Sequence, residues 1–328
     1  MNTVRCIWVT AVAVIISFVS GFAADKQADG MALIQKALDQ TDLRKSGPYT
    51  IHAKLTVNDE ATGKREGTDV VSFDSTARWR RELRMTGYNE VAVFLGQFMY
   101  RTRSLQFTPP SLRGDIAGGL RNLPETLSYK VMKISSRKVG DAKADCVSLQ
   151  QPRKDTPFEV TWCFDSTTGL PLARYGHAYG DRTEFTNYKP FGQKQYASTV
   201  QEFTNGKPSG TATIESVESG VGNDVHLFDT PAGAIPRPWC DDMQGPRPVS
   251  FPWPDIPLGA RGHSGLELHY ELTLDAQGNV TAVVPMAPKA LPDRIAIGAL
   301  RDWSFYPAMC GSTPVPTDVE INVAARWQ

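Results

Sequence analysis

Apolar and polar residues alternate along most of the chain, which is the pattern of β-strands with one buried face. The first such run is residues 49–57, where Tyr49, Ile51 and Leu55 alternate with polar residues. Further strand candidates are residues 67–73, 77–85, 90–102, 129–135, 144–150, 158–164, 170–177, 182–188, 195–204 and 210–218. Because Gly, Asn, Asp or Pro residues separate these runs, the pattern predicts an antiparallel sheet large enough to curve.

Two stretches near this sheet depart from period two. Residues 31–38 place apolar side chains three and four positions apart and predict a short amphipathic helix before the sheet. Residues 109–120, rich in Pro and Gly, predict a loop with a helical turn.

The last sixty or so residues have a pattern of their own. Alternation from Leu266 to Leu274 predicts a strand with one buried face, and a turn at 275–279 leads to a returning strand at 280–284. Residues 291–301 predict a helix, and Pro292 stands in its first turn, where a missing N–H costs little. Strands at 303–307 and 318–326 complete a strand, strand, helix, strand order.

Proline density marks a boundary between these two regions. The prolines are at 231, 236, 238, 246, 248, 252, 254 and 257. They favour an extended, semi-rigid segment that acts as a spacer. We therefore expect an α+β chain with a signal peptide at 1–23, a curved antiparallel sheet domain at 24–233, a Pro-rich linker at 234–261 and a small C-terminal domain at 262–328.

The N-terminus predicts export to the periplasm. Arg5, the apolar run from Ile7 to Val19 and the small residues Gly21 and Ala23 form the three parts of a cleaved signal peptide. The alternative is that the apolar run is retained as an inner-membrane anchor.

Charge excludes one class of partner. The whole chain has 35 basic and 35 acidic residues. Removal of the signal peptide takes away Arg5 and leaves 34 against 35, a net charge of −1. A near-neutral chain with dispersed charges has no basic face for a phosphate backbone, so nucleic acid is not an expected partner.

Four cysteines follow the signal peptide, and an even number in an exported chain predicts two disulfides, for which three pairings exist. We favour Cys146 with Cys163, because they lie in adjacent strand candidates, and Cys240 with Cys310, which would tie the linker to the C-terminal domain.

The C-terminal region resembles the C-terminal domain of TonB. The resemblance rests on the turn glycine and on a Trp-x-Phe-x-Pro-Ala motif, namely Gly278, Trp303, Phe305, Pro307 and Ala308. It implies docking on an envelope or outer-membrane protein by β-strand addition. The strand that we expect to accept the partner contains Val319, Glu320, Ile321, Asn322 and Val323. TonB itself couples to its motor through a membrane-helix histidine, and no His occurs before His52, so energy transduction is not expected.

The preceding region, residues 27–233, resembles periplasmic proteins similar to the lipoprotein carrier LolA. The resemblance rests on the hairpins around Asp165–Leu172, Thr183–Tyr188 and Leu227–Pro231. It implies a half-barrel with a helix, whose inner face can hold acyl chains. The aromatic residues expected to line such an apolar cavity are Trp79, Phe94, Phe98, Tyr100 and Phe107. The alternative is that they are core residues of a filled barrel.

No sequence motif indicates catalysis. The five histidines are dispersed, no Cys-x-x-Cys or phosphate-binding loop is present, and Gly262–Gly265 lacks the spacing of a serine-hydrolase motif. We therefore expect no enzyme, cofactor or metal. The sequence predicts a periplasmic binding or transport-associated protein with a protein-docking module and a lipid-type ligand. The alternative is an envelope scaffold with a filled barrel that makes only protein contacts.

Overall fold

The computed structural model describes most of the chain after the signal peptide. The described residues are 26–59, 63–109, 112, 129–151, 158–176, 180–240, 243–253, 266–286 and 291–325. The predicted signal peptide, most of the predicted loop at 109–120 and the stretch 262–265 lie outside them. No helix within the described ranges is both long and apolar enough to cross a bilayer.

The chain is mostly β-structure, as the alternation predicts. Helix α1 spans residues 26–41, a 3-10 helix spans Leu43–Ser46, and helix α2 spans Leu291–Arg301. The strands are β1 (Tyr49–Asp59), β2 (Gly63–Ser75), β3 (Arg78–Met85), β4 (Tyr88–Leu95), β5 (Phe98–Arg103), β6 (Lys130–Val139), β7 (Ala142–Gln151), β8 (Phe158–Asp165), β9 (Pro171–Tyr175), β10 (Arg182–Phe191), β11 (Lys194–Thr204), β12 (Lys207–Ser219), β13 (Ile235–Pro238), β14 (Arg247–Ser250), β15 (Leu266–Leu274), β16 (Val280–Pro285), β17 (Ser304–Tyr306), β18 (Ala308–Cys310), β19 (Thr313–Val315) and β20 (Thr317–Ala325).

The chain divides into two compact units. The first comprises residues 1–47, 52–58 and 115–217, and the second comprises residues 48–51, 59–114 and 218–328. The division falls within residues 24–233, which the sequence assigns to one domain. Each unit contains an open antiparallel arrangement of strands, so the predicted sheet architecture is confirmed at that level.

In the first unit the strand order is β1-β12-β11-β10-β9-β8-β7-β6, and α1 packs on one face of these strands. Ile34 and Ala37 of α1 are fully buried. The approach is close at Gly30, where an added Cβ would lie 2.8 Å from both methyl carbons of Val131. Burial of an aliphatic side chain of this size stabilises the fold by about 1.5–3 kcal/mol, so α1 is an integral part of this core.

In the second unit the strands run in the order β13-β5-β4-β3-β2. The sequence predicts one strand over residues 90–102, whereas the structure has two strands, β4 and β5, joined by a turn at Gly96 and Gln97. Gly96 has a φ of +64°, the left-handed region that a tight hairpin turn requires. The prediction of a single strand is therefore wrong.

The Pro-rich segment is extended, as predicted, but its described part is not a free spacer. Strand β13 pairs with β5, and β14 pairs with β17. Phe251 lies edge-on to Trp303 at a centroid distance of 6.0 Å, and the Trp303 indole N–H donates to the Pro252 carbonyl at 3.0 Å. The segment is therefore held against its neighbours by backbone pairing and by aromatic contacts.

Candidate functional site: the outer edge of the C-terminal sheet

The C-terminal strands form a small sheet in the order β16-β15-β20, with nine consecutive pairs between β15 and β20. One face of β15 is apolar, because Leu268, Tyr270, Leu272 and Leu274 are buried against α2 and β17. The predicted alternation of β15 and the predicted bounds of α2 are both confirmed. This apolar core fixes which face and which edges of the sheet remain accessible.

The motif residues meet around the turn between β15 and β16. Gly278 has a φ of +85°, and an added Cβ would lie 1.9 Å from the Phe305 carbonyl oxygen. The Phe305 N–H donates to the Gly278 carbonyl at 2.9 Å. Trp303, Phe305 and Ala308 are buried, and Pro307 is partly buried. The spacing between Gly278 and the Trp-x-Phe-x-Pro-Ala motif therefore places β17 against a turn in which only glycine fits.

Strand β20 is an edge of this sheet. The His269 carbonyl accepts a hydrogen bond from the Met286 N–H at 2.9 Å, so the backbone of His269 faces away from β20. Because backbone direction alternates along a strand, Tyr270 bonds toward Ile321, and the residues on either side of Ile321 point outward. The backbone N–H and C=O of Glu320 and Asn322 therefore point away from β15.

Two edge strands of the larger sheet carry residues that discourage further pairing. Strand β6 carries Lys130, Lys133 and Lys138, and the short strand β13 contains two prolines. Lysine and proline on an edge discourage pairing with a further strand. On the opposite edge of the C-terminal sheet, Asn279 at the start of β16 bridges to Ser304. Strand β20, with the sequence TDVEINVAA, has neither lysine nor proline.

The polar face of the C-terminal sheet is held by arginines of β5 and β13. Arg103 Nη2 lies 2.5 Å from a carboxylate oxygen of Glu271, which is only 2% exposed, and the Thr108 N–H donates to the other oxygen at 3.2 Å. Asp318, at the start of β20, lies 3.1 Å from Arg101 and 3.5 Å from Arg237. Charged hydrogen bonds of this kind fix the position of β20. Sequence reasoning missed these pairs, which join residues more than 80 positions apart.

A buried tyrosine adjoins this layer. The Tyr88 hydroxyl donates to a Glu90 carboxylate oxygen at 2.6 Å and lies 3.3 Å from the Thr108 hydroxyl. Burial, followed by the negative charge of Glu90, raises the pKa of Tyr88 well above its usual range. The phenol is therefore a neutral structural donor rather than an acid for catalysis.

Both favoured cysteine pairs are present. Cys146 pairs with Cys163 and is directly opposite it on β7 and β8, and Cys240 pairs with Cys310. The second disulfide links the first part of the Pro-rich segment, just after β13, to β18. Within the described residues, no group of three or more His, Cys, Asp or Glu side chains could hold a metal ion.

The predicted aromatic wall is not one surface. Trp79 pairs with Phe94, and their rings stack at 5.7 Å on one face of the second unit's sheet. Phe94 pairs with Met99, so Phe98 and Tyr100 point to the opposite face, and Phe98 is 42% exposed. Phe107 is partly buried in the segment after β5. The proposal of a common lining for these five residues is therefore wrong.

A cleft does occur on the face that carries Tyr100, but charged and hydroxyl side chains share its lining with apolar groups. It has a volume of about 230 Å³ and is bounded by side chains of β2 and β3, together with Leu227. Its polar lining includes Arg80, Glu82 and Arg84. Ion pairs with Arg80 and Arg84 lower the pKa of Glu82 despite its partial burial, which alone would raise it. The cleft is not the apolar chamber that the sequence led us to expect.

Solved structures provide the comparison with known proteins. A LolA superfamily protein from Nitrosomonas europaea is similar over 60% of this chain and 96% of its own, with a TM-score of 0.44 and 7% identity. A putative outer membrane lipoprotein-sorting protein domain from Vibrio parahaemolyticus is similar over 60% of this chain and 97% of its own, with a TM-score of 0.39 and 13% identity. The MucA/MucB complex of Pseudomonas aeruginosa is similar over 90% of this chain and 94% of its own, with a TM-score of 0.26 and 11% identity.

No family model and no curated protein matches the sequence. Because the TM-scores are below 0.5, the activities of these proteins carry no weight for this chain. The expected likeness to LolA-type proteins is found among solved structures, and the resemblance to TonB stays a prediction.

Proposed function

We propose that this chain is a non-catalytic binding protein of the cell envelope, exported by its N-terminal signal, which docks an extended segment of another envelope protein along β20. The proposal rests on one observation: β20 pairs only with β15 among the described strands, and its outward backbone groups lie on an edge with no lysine or proline. An edge of this kind accepts a further strand through main-chain hydrogen bonds.

The geometry of β20 supports a defined binding register. Val319, Ile321 and Val323 bond to β15 and turn their side chains toward the apolar core. The intervening residues offer outward N–H and C=O groups about 7 Å apart, the two-residue repeat of a strand. A partner strand would pair with these groups and add its own alternate apolar side chains to the rim of the core.

The arginine contacts at Asp318 support the proposal further. They hold the start of β20 in place through the Asp318 side chain, while the backbone groups of Asp318 point outward like those of Asn322. An edge that is already ordered loses less conformational entropy on binding than a disordered segment does. The two disulfides agree with an oxidising compartment, which is consistent with the proposed periplasmic location.

The test uses proline as a probe of the outward N–H at Asn322. The substitution Asn322→Pro removes that donor and places a ring on the open edge, while the bonds of Ile321 and Val323 to β15 remain. Asn322→Ala changes the same exposed side chain but keeps the N–H, so it is the matched control. A photoreactive residue introduced at position 320 then reports the partner in intact cells.

We expect a discrete cross-linked adduct from position 320 that persists in the Asn322→Ala background and is lost in the Asn322→Pro background. Both variants should melt within a few degrees of the parent protein. An adduct that survives Asn322→Pro, or no adduct at all, would show that β20 is not the docking edge. If a lipid co-purifies with the folded Asn322→Pro variant and no protein co-purifies with the parent, lipid carriage is favoured over protein docking.

A further inference from the structure

Arg174 stands in an unusual place in the first unit. It pairs across strands with Trp162 on β8 and with Thr183 on β10, so the three side chains share one face of the sheet. Trp162 in turn pairs with Val147, which α1 touches at Gly30. Arg174 therefore lies on the helix-covered face, next to core residues that are at most 1% exposed.

No acidic side chain of the described residues forms an ion pair with the Arg174 guanidinium. Its carbon lies 6.0 Å from the centroid of the Trp162 ring. Within the described part of the chain it makes no hydrogen bond and no ion pair, although the residue is partly buried. Removal from water lowers the pKa of Arg174, and only the more distant charges of Glu202 and the Tyr129 phenol oppose that effect.

Two other partly buried arginines among the described residues are ion-paired. Arg81 is 12% exposed and contacts Asp69 through two nitrogens, and Arg103 is 18% exposed and contacts Glu271. A charge partly withdrawn from water without such a partner costs stability, so a side chain in that situation is expected where it serves a ligand. Arg174 differs from Arg81 and Arg103 in this respect.

Thr183 supplies a second polar group at the same point. Its hydroxyl also makes no hydrogen bond to the described residues, and cross-strand neighbours hold their Cβ atoms about 4.5–5.5 Å apart. The guanidinium offers a planar fork of N–H donors and the hydroxyl offers one more. This donor set suits the oxygens of a carboxylate or phosphate group.

Among the described residues, Glu202 is the acid that acts on Arg174. It pairs with Thr183, so the side chains of Arg174, Thr183 and Glu202 share one face of the sheet. Its negative charge raises the pKa of Arg174, and it therefore competes with an added anion for the guanidinium. We propose that Arg174 and Thr183 form a binding site for an oxyanion, either a free one or the anionic head group of a lipid.

The experiment measures binding of three probes to the full mature chain by calorimetry: inorganic phosphate, dodecyl phosphate and the neutral analogue dodecanol. The variants are Arg174→Gln and, as a matched control, Arg182→Gln. Arg182 also contacts an aromatic ring, at 3.6 Å from the Phe203 centroid, but it is ion-paired to Glu184 and lies on the opposite face.

We expect at least one phosphate probe to bind the parent protein, with affinity about tenfold or more lower in Arg174→Gln and unchanged in Arg182→Gln. Equal binding of both phosphates would identify a free oxyanion, and binding of dodecyl phosphate alone would identify a lipid head group. Thr183→Val should weaken binding to a smaller degree.

Three results would overturn the proposal. They are no phosphate binding to the parent at millimolar concentration, equal binding to Arg174→Gln, and binding of dodecanol as tight as that of dodecyl phosphate. The site lies in the first unit, so its failure leaves the proposed docking at β20 untouched.

Discussion

Gly278→Ala tests whether the turn between β15 and β16 organises the C-terminal sheet. Two costs arise from the residue itself. Its φ of +85° is unfavourable for alanine by about 1 kcal/mol, and the new Cβ would begin 1.9 Å from the Phe305 carbonyl oxygen. The neighbouring atom is backbone, so β17 must move rather than a flexible side chain.

The displacement of β17 adds two further costs. The hydrogen bond from the Phe305 N–H to the Gly278 carbonyl, 2.9 Å long, would lengthen or break, at about 1 kcal/mol. Phe305 and Trp303 would shift within the apolar core, and overpacking of this kind costs about 1–3 kcal/mol. We therefore expect Gly278→Ala to lower the free energy of unfolding by about 3–5 kcal/mol.

Gly311→Ala is the matched control. Gly311 also has a positive φ, +59°, in a turn of the same unit, but no atom lies within 4 Å of its added Cβ. It should therefore lose only the backbone term, about 1 kcal/mol. Urea unfolding followed by tryptophan fluorescence measures both variants. A cost for Gly278→Ala no larger than that for Gly311→Ala would refute the close approach of the turn to β17.

Two further predictions concern charged side chains. Arg81→Ala leaves the Asp69 carboxylate, which is 0% exposed, without its bidentate partner, and should lower the free energy of unfolding by about 3–5 kcal/mol. Arg84→Ala, at a site 72% exposed, should lower it by less than about 1 kcal/mol. Urea titration measures both. Similar costs would contradict this ranking. Hydrogen bonds from the Asn279 side chain and backbone lower the pKa of Asp275 below 3.8. The ionised Asp275 carboxylate therefore stabilises the folded state above pH 3.8, and this contribution is lost as the pH falls through the lower folded-state pKa. The melting temperatures of the parent and Asp275→Asn should differ at neutral pH and converge in acid, and a constant difference down to pH 2 would contradict the assignment.

The alternation of apolar residues predicted the strands well where a clear turn signal bounded each run. Residues 266–274 and 291–301 form the predicted strand and helix, because local periodicity agrees there with the packing. The unit division, the contacts of Asp318 and the pairing of β13 with β5 depend on residues far apart in sequence. Local pattern carries no information about such contacts.

The error in the aromatic wall has a specific cause. In a continuous strand over 90–102, the even-numbered residues Phe94, Phe98 and Tyr100 would share a face. The turn at Gly96 pairs Leu95 with Phe98, so the odd-numbered residues of β4 share a face with the even-numbered residues of β5. Only Gly96 and Gln97 separate Leu95 from Phe98, so the turn lay hidden between two apolar stretches. A single glycine was the available signal.

The Cys240–Cys310 bridge has a consequence for survival in a protease-rich compartment. The two cysteines are 70 positions apart, and β14, β15, β16, α2 and β17 lie between them. A single peptide-bond cut anywhere in that interval leaves both fragments covalently joined. Nicked molecules would therefore migrate as intact chains until a reductant separates them, and they could keep their assembled form after cleavage.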